Sequence, residues 1–285
     1  MILDLAGALF LGMLAFCILL WSWKKGFFFI ENEFRSIPLR WFHPVSVFAI
    51  HLGVVSLIQP FLILSLKKTA SAIAFIGIAA WAAFLVSLLV IFAIIFYCYF
   101  LPREIPLKIW RFSKKTTYLQ DAYSALICIC IAYPLVLFSG QLFDLLLYFF
   151  FHIKQLPDQT AVLFLKMTLG HPFYFFLTLI TVIVLAPCLE EILFRGFLQS
   201  FIKQHLNTKL SIFISALCFA LFHYAPEQGI ANVSIVGSIF ILALFLGFIY
   251  EKRGSLIAPI VLHASFNTIN VINLYLLEGF SKTGS

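Results

Sequence analysis

FYFFLTLITVIVLAPCLEEILFRGFLQSFI, residues 173–202, is a run of almost unbroken apolar sequence. Set into it are two adjacent carboxylates, Glu190 and Glu191, and one guanidinium, Arg195. About 20 apolar residues are enough for a helix to cross the hydrocarbon core of a bilayer. The stretch therefore predicts a membrane-spanning helix that carries three ionisable groups within it.

The rest of the chain is of the same kind. Of its 285 residues 63% are apolar and 11% charged, 35 are Phe, and the mean hydropathy is +1.06. A soluble fold needs about 25% charged residues to solvate its surface, so soluble domains are excluded. At about 20 residues per span plus connections the length admits roughly eight to ten spans. The net charge of +7, from 19 Lys and Arg against 12 Asp and Glu, sets orientation in a polytopic membrane protein, and nucleic acid is discarded as a partner. Cys17, Cys98, Cys128, Cys130, Cys188 and Cys218 all lie in apolar runs without paired zinc-type spacing and read as small buried hydrophobes. Met1 to Leu5 lack a basic segment, which predicts no cleaved signal peptide.

Apolar stretches fall near 3–23, 44–66, 71–99, 122–139, 173–202, 210–224, 230–250 and 255–277. The expected fold is all-α, a polytopic transmembrane bundle of about eight helices, with 71–99 read as one tilted span. Residues 140–171 are too apolar for a loop and are interrupted by Pro157 and Asp158, which predicts an interfacial or re-entrant helix. Apart from Arg195 near the cytoplasmic end of the fifth span, the 1–2, 3–4, 5–6 and 7–8 connections hold every Lys and Arg except Lys67, Lys68, Lys154, Lys166 and Lys282. Both termini are therefore expected to face away from the cytoplasm. The 3–4 connection, with Arg103, Lys108, Arg111, Lys114 and Lys115, reads as a topology anchor, with Trp110 and Phe112 at headgroup level.

Information about function is expected where ionisable groups sit at membrane depth, because a charge there costs a few kcal/mol and needs a partner. Glu191 and Arg195 are four apart and pair along one helix face, while Glu190 points about 100° away and has no neighbour on its own helix. If the helix reaches the cytoplasmic surface near Lys203, Glu190 lies about 20 Å in, and counts from Lys209 and Gly254 place His223 and Asn267 at about the same depth. His263, one turn before Asn267, lies on the same helix face. Pro187 cannot donate to the carbonyl of Ile183, which frees a polar backbone group beside the carboxylates and bends the helix. One carboxylate and two imidazoles around such a pocket suit hydrolysis, with the carboxylate taking a proton from water and imidazole or amide donors holding an oxyanion. Equally, Glu190, His223 and His263 would be the ligands of an open zinc site, although the sequence has no HExxH helix.

The pattern resembles the CAAX protease and bacteriocin-processing family of intramembrane endopeptidases. Glu190, Glu191 and Arg195 match its Glu-Glu-x-x-x-Arg motif, Phe219 and His223 its Phe-x-x-x-His motif, and His263 and Asn267 its third motif. The resemblance covers roughly 163–277. Residues 1–162 supply about four further helices and the interfacial segment, and 278–285 a short tail. It implies that Glu190 activates water with help from His223, that His263 and Asn267 stabilise the oxyanion, and that Glu191 and Arg195 form a supporting ion pair. The implied substrate is a peptide or protein, prenylated or not, met at an inner or plasma membrane by a site open to the cytoplasm.

The competing readings are plainer. Glu190 would be a protonated carboxyl, His223, His263 and Asn267 interhelical hydrogen-bonding residues, Phe219 a packing residue, and Arg195 a snorkelling one. Cys188 as a nucleophile is disfavoured because apolar burial makes thiolate scarce. His43, His51, His152, His171 and His205 are assigned no chemistry. At the level of the whole protein, a catalytically silent scaffold binding a partner membrane protein is the alternative. A transporter ranks last because no repeated halves or paired broken helices are seen.

Overall fold

The computed structural model describes residues 2–30, 36–67, 72–112, 117–153 and 157–283. These form ten helices: α1 (Ile2–Lys24), α2 (residues 42–67), α3 (Ala72–Tyr99), α4 (Glu104–Trp110), α5 (Tyr118–Phe151), α6 (Thr160–Thr168), α7 (residues 172–202), α8 (Thr208–Phe222), α9 (Asn232–Arg253) and α10 (Ile257–Thr283). Among the described residues β pairing is confined to the single bridge between Arg111 and Ser255. The expected all-α polytopic bundle is what forms. Seven helices are long and apolar enough to cross a membrane, and the eighth apolar one, α8, is shorter. The expectations placed on Lys68, Lys114, Lys115 and Lys154 lie outside the described residues.

The 15 residues of α8 rise about 22 Å, less than the roughly 30 Å hydrocarbon thickness. By length alone its end therefore stops short of the far side of the hydrocarbon layer. Irregular backbone at that depth needs internal partners, and the Asn232 side chain supplies them. Its amide donates to the carbonyls of Ala225 (2.7 Å) and Gly229 (2.9 Å) and accepts from Ala225 N–H (3.0 Å). Gly229 sits at φ 51°, ψ −128°, a conformation that a side chain would strain.

The expected break after residue 139 is absent. α5 starts at a Thr117/Gln120 capping box and runs 34 residues through Pro134 and Gly140 to a left-handed His152. Residues 140–151 are thus the outer part of a long span, and only α6 remains as a short helix in the region expected to be interfacial. Gly140, Gln141 and Asp144 interrupt the apolarity without breaking the backbone ladder. Gly140 is a contact glycine: Ser234 Oγ donates to its carbonyl (3.4 Å), and a Cβ there would stand 3.1 Å from Ser238 Oγ.

α5 packs against α1, α9 and α10, and α9 packs against α5, α8 and α10, so these two helices form the centre of the bundle. At one end, three connections expected on the same side of the membrane come together. Phe112 N–H donates to Gly254 O and Leu256 N–H to Trp110 O. Lys252 donates to the carbonyls of Phe27 and Phe29. The fully buried Asp121 accepts from Arg253 Nε at 3.0 Å and faces Arg111 at 3.5 Å. Phe112 is partly buried and packs edge-on against the buried Tyr250. Arg111 is held by Asp121 as well as serving as topology charge.

Asp121→Ala leaves two arginines without their buried counter-charge. It is expected to cost about 3–5 kcal/mol of stability, read as a lowered unfolding midpoint of the purified protein in detergent, with Lys108→Ala in the exposed pair with Glu104 as an unaffected control.

Candidate active site

α7 is not a uniform helix. Wide π-turns at Thr181–Leu185 and Ile192–Gln199 flank the α-helical segment Ala186–Glu191. Turns of this kind are single-turn departures often found at functional sites. They bracket the carboxylates and divide the work between them.

Glu191 is fully buried. Its Oε1 accepts from Arg195 Nη1 at 3.0 Å and from His263 Nδ1 at 2.9 Å. Arg195 is also fully buried, donates through Nη2 to Ala243 O (3.0 Å) and lies over the Phe219 ring, 4.4 Å from its centroid. Snorkelling of Arg195 is thereby excluded: the guanidinium is enclosed between α7, α8 and α9. The ion pair expected between Glu191 and Arg195 is present, and Glu191 also reaches His263 on α10, a contact the spacing did not reveal.

Glu190 faces the other way. Its Oε2 is buried without a hydrogen-bond partner, 3.8 Å from His223 Nε2 and 3.9 Å from His263 Nε2. His223 follows the last residue of α8 at φ −90°, ψ 2°, the sparsely allowed bridge region in which many active-site residues lie. Its Nδ1 is 2.8 Å from the Phe219 carbonyl. A carbonyl can only accept, and the Glu191 carboxylate is already an acceptor, so both Nδ1 atoms carry hydrogen and both rings turn Nε2 toward Glu190. Glu190 Oε2 and the two Nε2 atoms thus converge at 3.8 and 3.9 Å, beyond direct hydrogen-bond distance.

Phe219 does more than fill space. Besides holding Nδ1 of His223, its ring lies 4.7 Å from the His223 ring and 5.8 Å from the His263 ring. Asn267 does not reach Glu190: its Nδ2 donates to the Val182 carbonyl at 2.8 Å, two turns earlier on α7. Counting rise per residue placed Asn267 level with Glu190 because it assumed straight helices of uniform pitch, whereas α7 contains two π-turns. His263 takes that level instead.

Two features went unread in the sequence. His51, on α2, packs its ring 5.6 Å from Phe222, next to His223, with a buried Nδ1 that has no hydrogen-bond partner. Nothing in its local sequence distinguishes it from the other histidines. One turn beyond the site, Gln199 Nε2 donates to Glu251 Oε1 (2.9 Å) and to Gly247 O (3.2 Å), while Lys203 pairs with Glu251 Oε2. Lys203 is thus buried in a clamp between α7 and α9. The i, i+4 spacing of Gln199 and Lys203 was the available signal.

A tetrahedral zinc bound by Glu190, His223 and His263 at 2.0–2.2 Å would bring ligand atoms to about 3.4 Å from one another. The observed 3.8 and 3.9 Å are wider, and among the described residues no group of three or more His, Cys, Asp and Glu side chains stands in metal-holding geometry. As arranged, the three side chains are not drawn in to the spacing of zinc ligands.

An all-helical integral membrane protein with buried carboxylates and imidazoles converging from three helices is the class that fold and site define. Residues 172–269 match the family model described as type II CAAX prenyl endopeptidase Rce1-like, and all seven motif residues lie within that segment. The likeness to CAAX proteases read from the motifs therefore holds for this part of the chain, residues 172–269 of 285, and is not extended to the rest. An uncharacterized 24.3 kDa protein of Escherichia coli is 27% identical over 96 residues, which make up 34% of this chain and 43% of that protein. The match thus spans less than half the length of either. No solved structure matches the chain.

Glu191→Gln or Arg195→Ala breaks a fully buried charge pair and is expected to cost about 3–5 kcal/mol. Loss of folded protein on size-exclusion and thermal unfolding in detergent checks this, with Glu190→Gln, whose carboxylate has no ion-pair partner among Lys and Arg, retaining wild-type stability.

Proposed function

We propose that this protein is an intramembrane endopeptidase in which Glu190 activates the hydrolytic water. The observation that carries the reading is the convergence of Glu190 Oε2 with the two imidazole Nε2 atoms at 3.8 and 3.9 Å. A water held by Glu190 and His223 loses one proton to Glu190 as its oxygen attacks the scissile carbonyl carbon. His263, with Nδ1–H on the Glu191 carboxylate and a second proton already on Nε2 at the start of the cycle, donates an Nε2–H hydrogen bond to the tetrahedral oxyanion and keeps that proton when the carbonyl re-forms. Glu190 then returns its proton to the leaving amide nitrogen, which breaks the C–N bond and frees the two peptide ends. Burial amplifies each of these interactions because little water competes with them.

In this reading the site is approached from the cytoplasmic side, which is the end carrying Arg103, Lys108, Arg111, Lys203, Lys252 and Arg253. Glu190, His223 and His263 act on the substrate, while Glu191, Arg195 and Phe219 hold them in place. In this reading water activation is assigned to the carboxylate, with no step routed through a metal.

Purified protein assayed with fluorogenic prenylated and unprenylated peptides is expected to cleave at least one of them. Glu190→Ala and His223→Ala should each lower the rate by at least about 100-fold while the protein stays folded. Equal cleavage by wild type and Glu190→Ala contradicts the proposal, and absence of cleavage by the wild type on every peptide favours a silent scaffold.

Chelator treatment should leave the rate unchanged. Loss of activity that added zinc restores would assign Glu190, His223 and His263 as ligands instead of general base and donors.

A further inference from the structure

Outside the residues that face the reacting atoms, one hydrogen bond joins a backbone defect of α7 to a side chain of α10. In the first π-turn, Ala186 N–H donates to Thr181 O, five residues back. Continued by one residue, this frame would give the Val182 carbonyl the N–H of residue 187. That residue is Pro187, which has no N–H. The sequence alone pointed to Ile183 as the carbonyl left open, but the π-turn moves the gap back by one residue, to Val182. Asn267 Nδ2 fills it at 2.8 Å.

We propose that Asn267 is a positioning residue that stands in for the hydrogen-bond donor Pro187 lacks, and so fixes the pitch at which Glu190 leaves α7. An unpaired carbonyl inside an apolar bundle is expensive, so without Asn267 the π-turn rearranges toward a frame in which Val182 O finds another donor. Glu190 lies one turn after Pro187 and turns with the helix. His263, one turn before Asn267 on the same face of α10, holds Glu191 at 2.9 Å. α10 therefore grips α7 on both sides of Pro187, at the Val182 carbonyl and at the Glu191 carboxylate, and the segment between the two grips carries Glu190. This assignment differs from a direct role of Asn267 on the oxyanion, since it gives one of the two amide N–H groups to the Val182 carbonyl.

A double-mutant cycle separates the two roles. Asn267→Ala is expected to lower kcat by about tenfold or more, as misplacement of a catalytic group does, with KM little changed. In the Pro187→Ala background, where residue 187 regains an N–H, the same Asn267→Ala change should cost less than about threefold, well under one decade of rate. A parallel cycle on the unfolding midpoint in detergent should show Asn267→Ala lowering it by several degrees beside Pro187 and by little beside Ala at 187. Equal effects of Asn267→Ala in both backgrounds, on rate and on midpoint, would overturn the proposal. The kinetic arm rests on the peptidase reading, and the midpoint arm does not. A wild type that cleaves nothing while the midpoints remain coupled would thus refute the peptidase and retain the hydrogen-bond replacement.

Discussion

Two carboxylates stand at adjacent positions of one helix, Glu191 fully buried and Glu190 partly exposed, and they are matched differently. Glu191 is neutralised by Arg195 on its own helix and hydrogen-bonded by His263 from another, with no exposure to solvent. Such a pair contributes little net stability by itself, but removing either partner leaves a buried charge. The arrangement therefore fixes which way α7 faces, and that orientation leaves Glu190 on the open side with only the two imidazole edges before it. The site follows from this division between a carboxylate held in an ion pair through Oε1 and one that faces only the two imidazoles.

The surrounding elements serve that orientation. α8 is too short to cross the membrane and ends where His223 is needed, and Asn232 closes the irregular backbone beyond it. α9 receives the Arg195 guanidinium at Ala243 and, two turns on, the Gln199 and Lys203 side chains at Gly247 and Glu251. Ser200 Oγ donates to Arg195 O at 3.1 Å and so supports the second π-turn from within α7. Polar contacts of this kind join helices in an environment where apolar surface gives no preference for protein over lipid.

Much of this was legible in the sequence. The apolar runs give the helices, and the i, i+4 spacing of Glu191 and Arg195 gives the ion pair. The charges at membrane depth point to Glu190, His223 and His263 as groups to be brought together. What escaped was whatever depends on departures from a regular helix or on tertiary packing. Asn267 appeared level with Glu190 because uniform rise was assumed, and the π-turns shift it to Val182. The fourth span appeared to end at residue 139 because Gly140, Gln141 and Asp144 lower the local hydropathy, although none of them interrupts the backbone ladder. His51 carries no local signature, because its place beside Phe222 is set by the packing of α2 on α7. The burial of Lys203 hides likewise in a pairing with Glu251, 48 residues away.

The central claim is that a buried glutamate and two imidazoles hold one water between them. An experimental structure of the protein in lipid, at a resolution that shows ordered solvent, tests it most directly. The account predicts a single water in hydrogen-bond contact with Glu190 and with at least one of the His223 and His263 Nε2 atoms. A Glu190 side chain lying more than one water bridge from both histidines would contradict it.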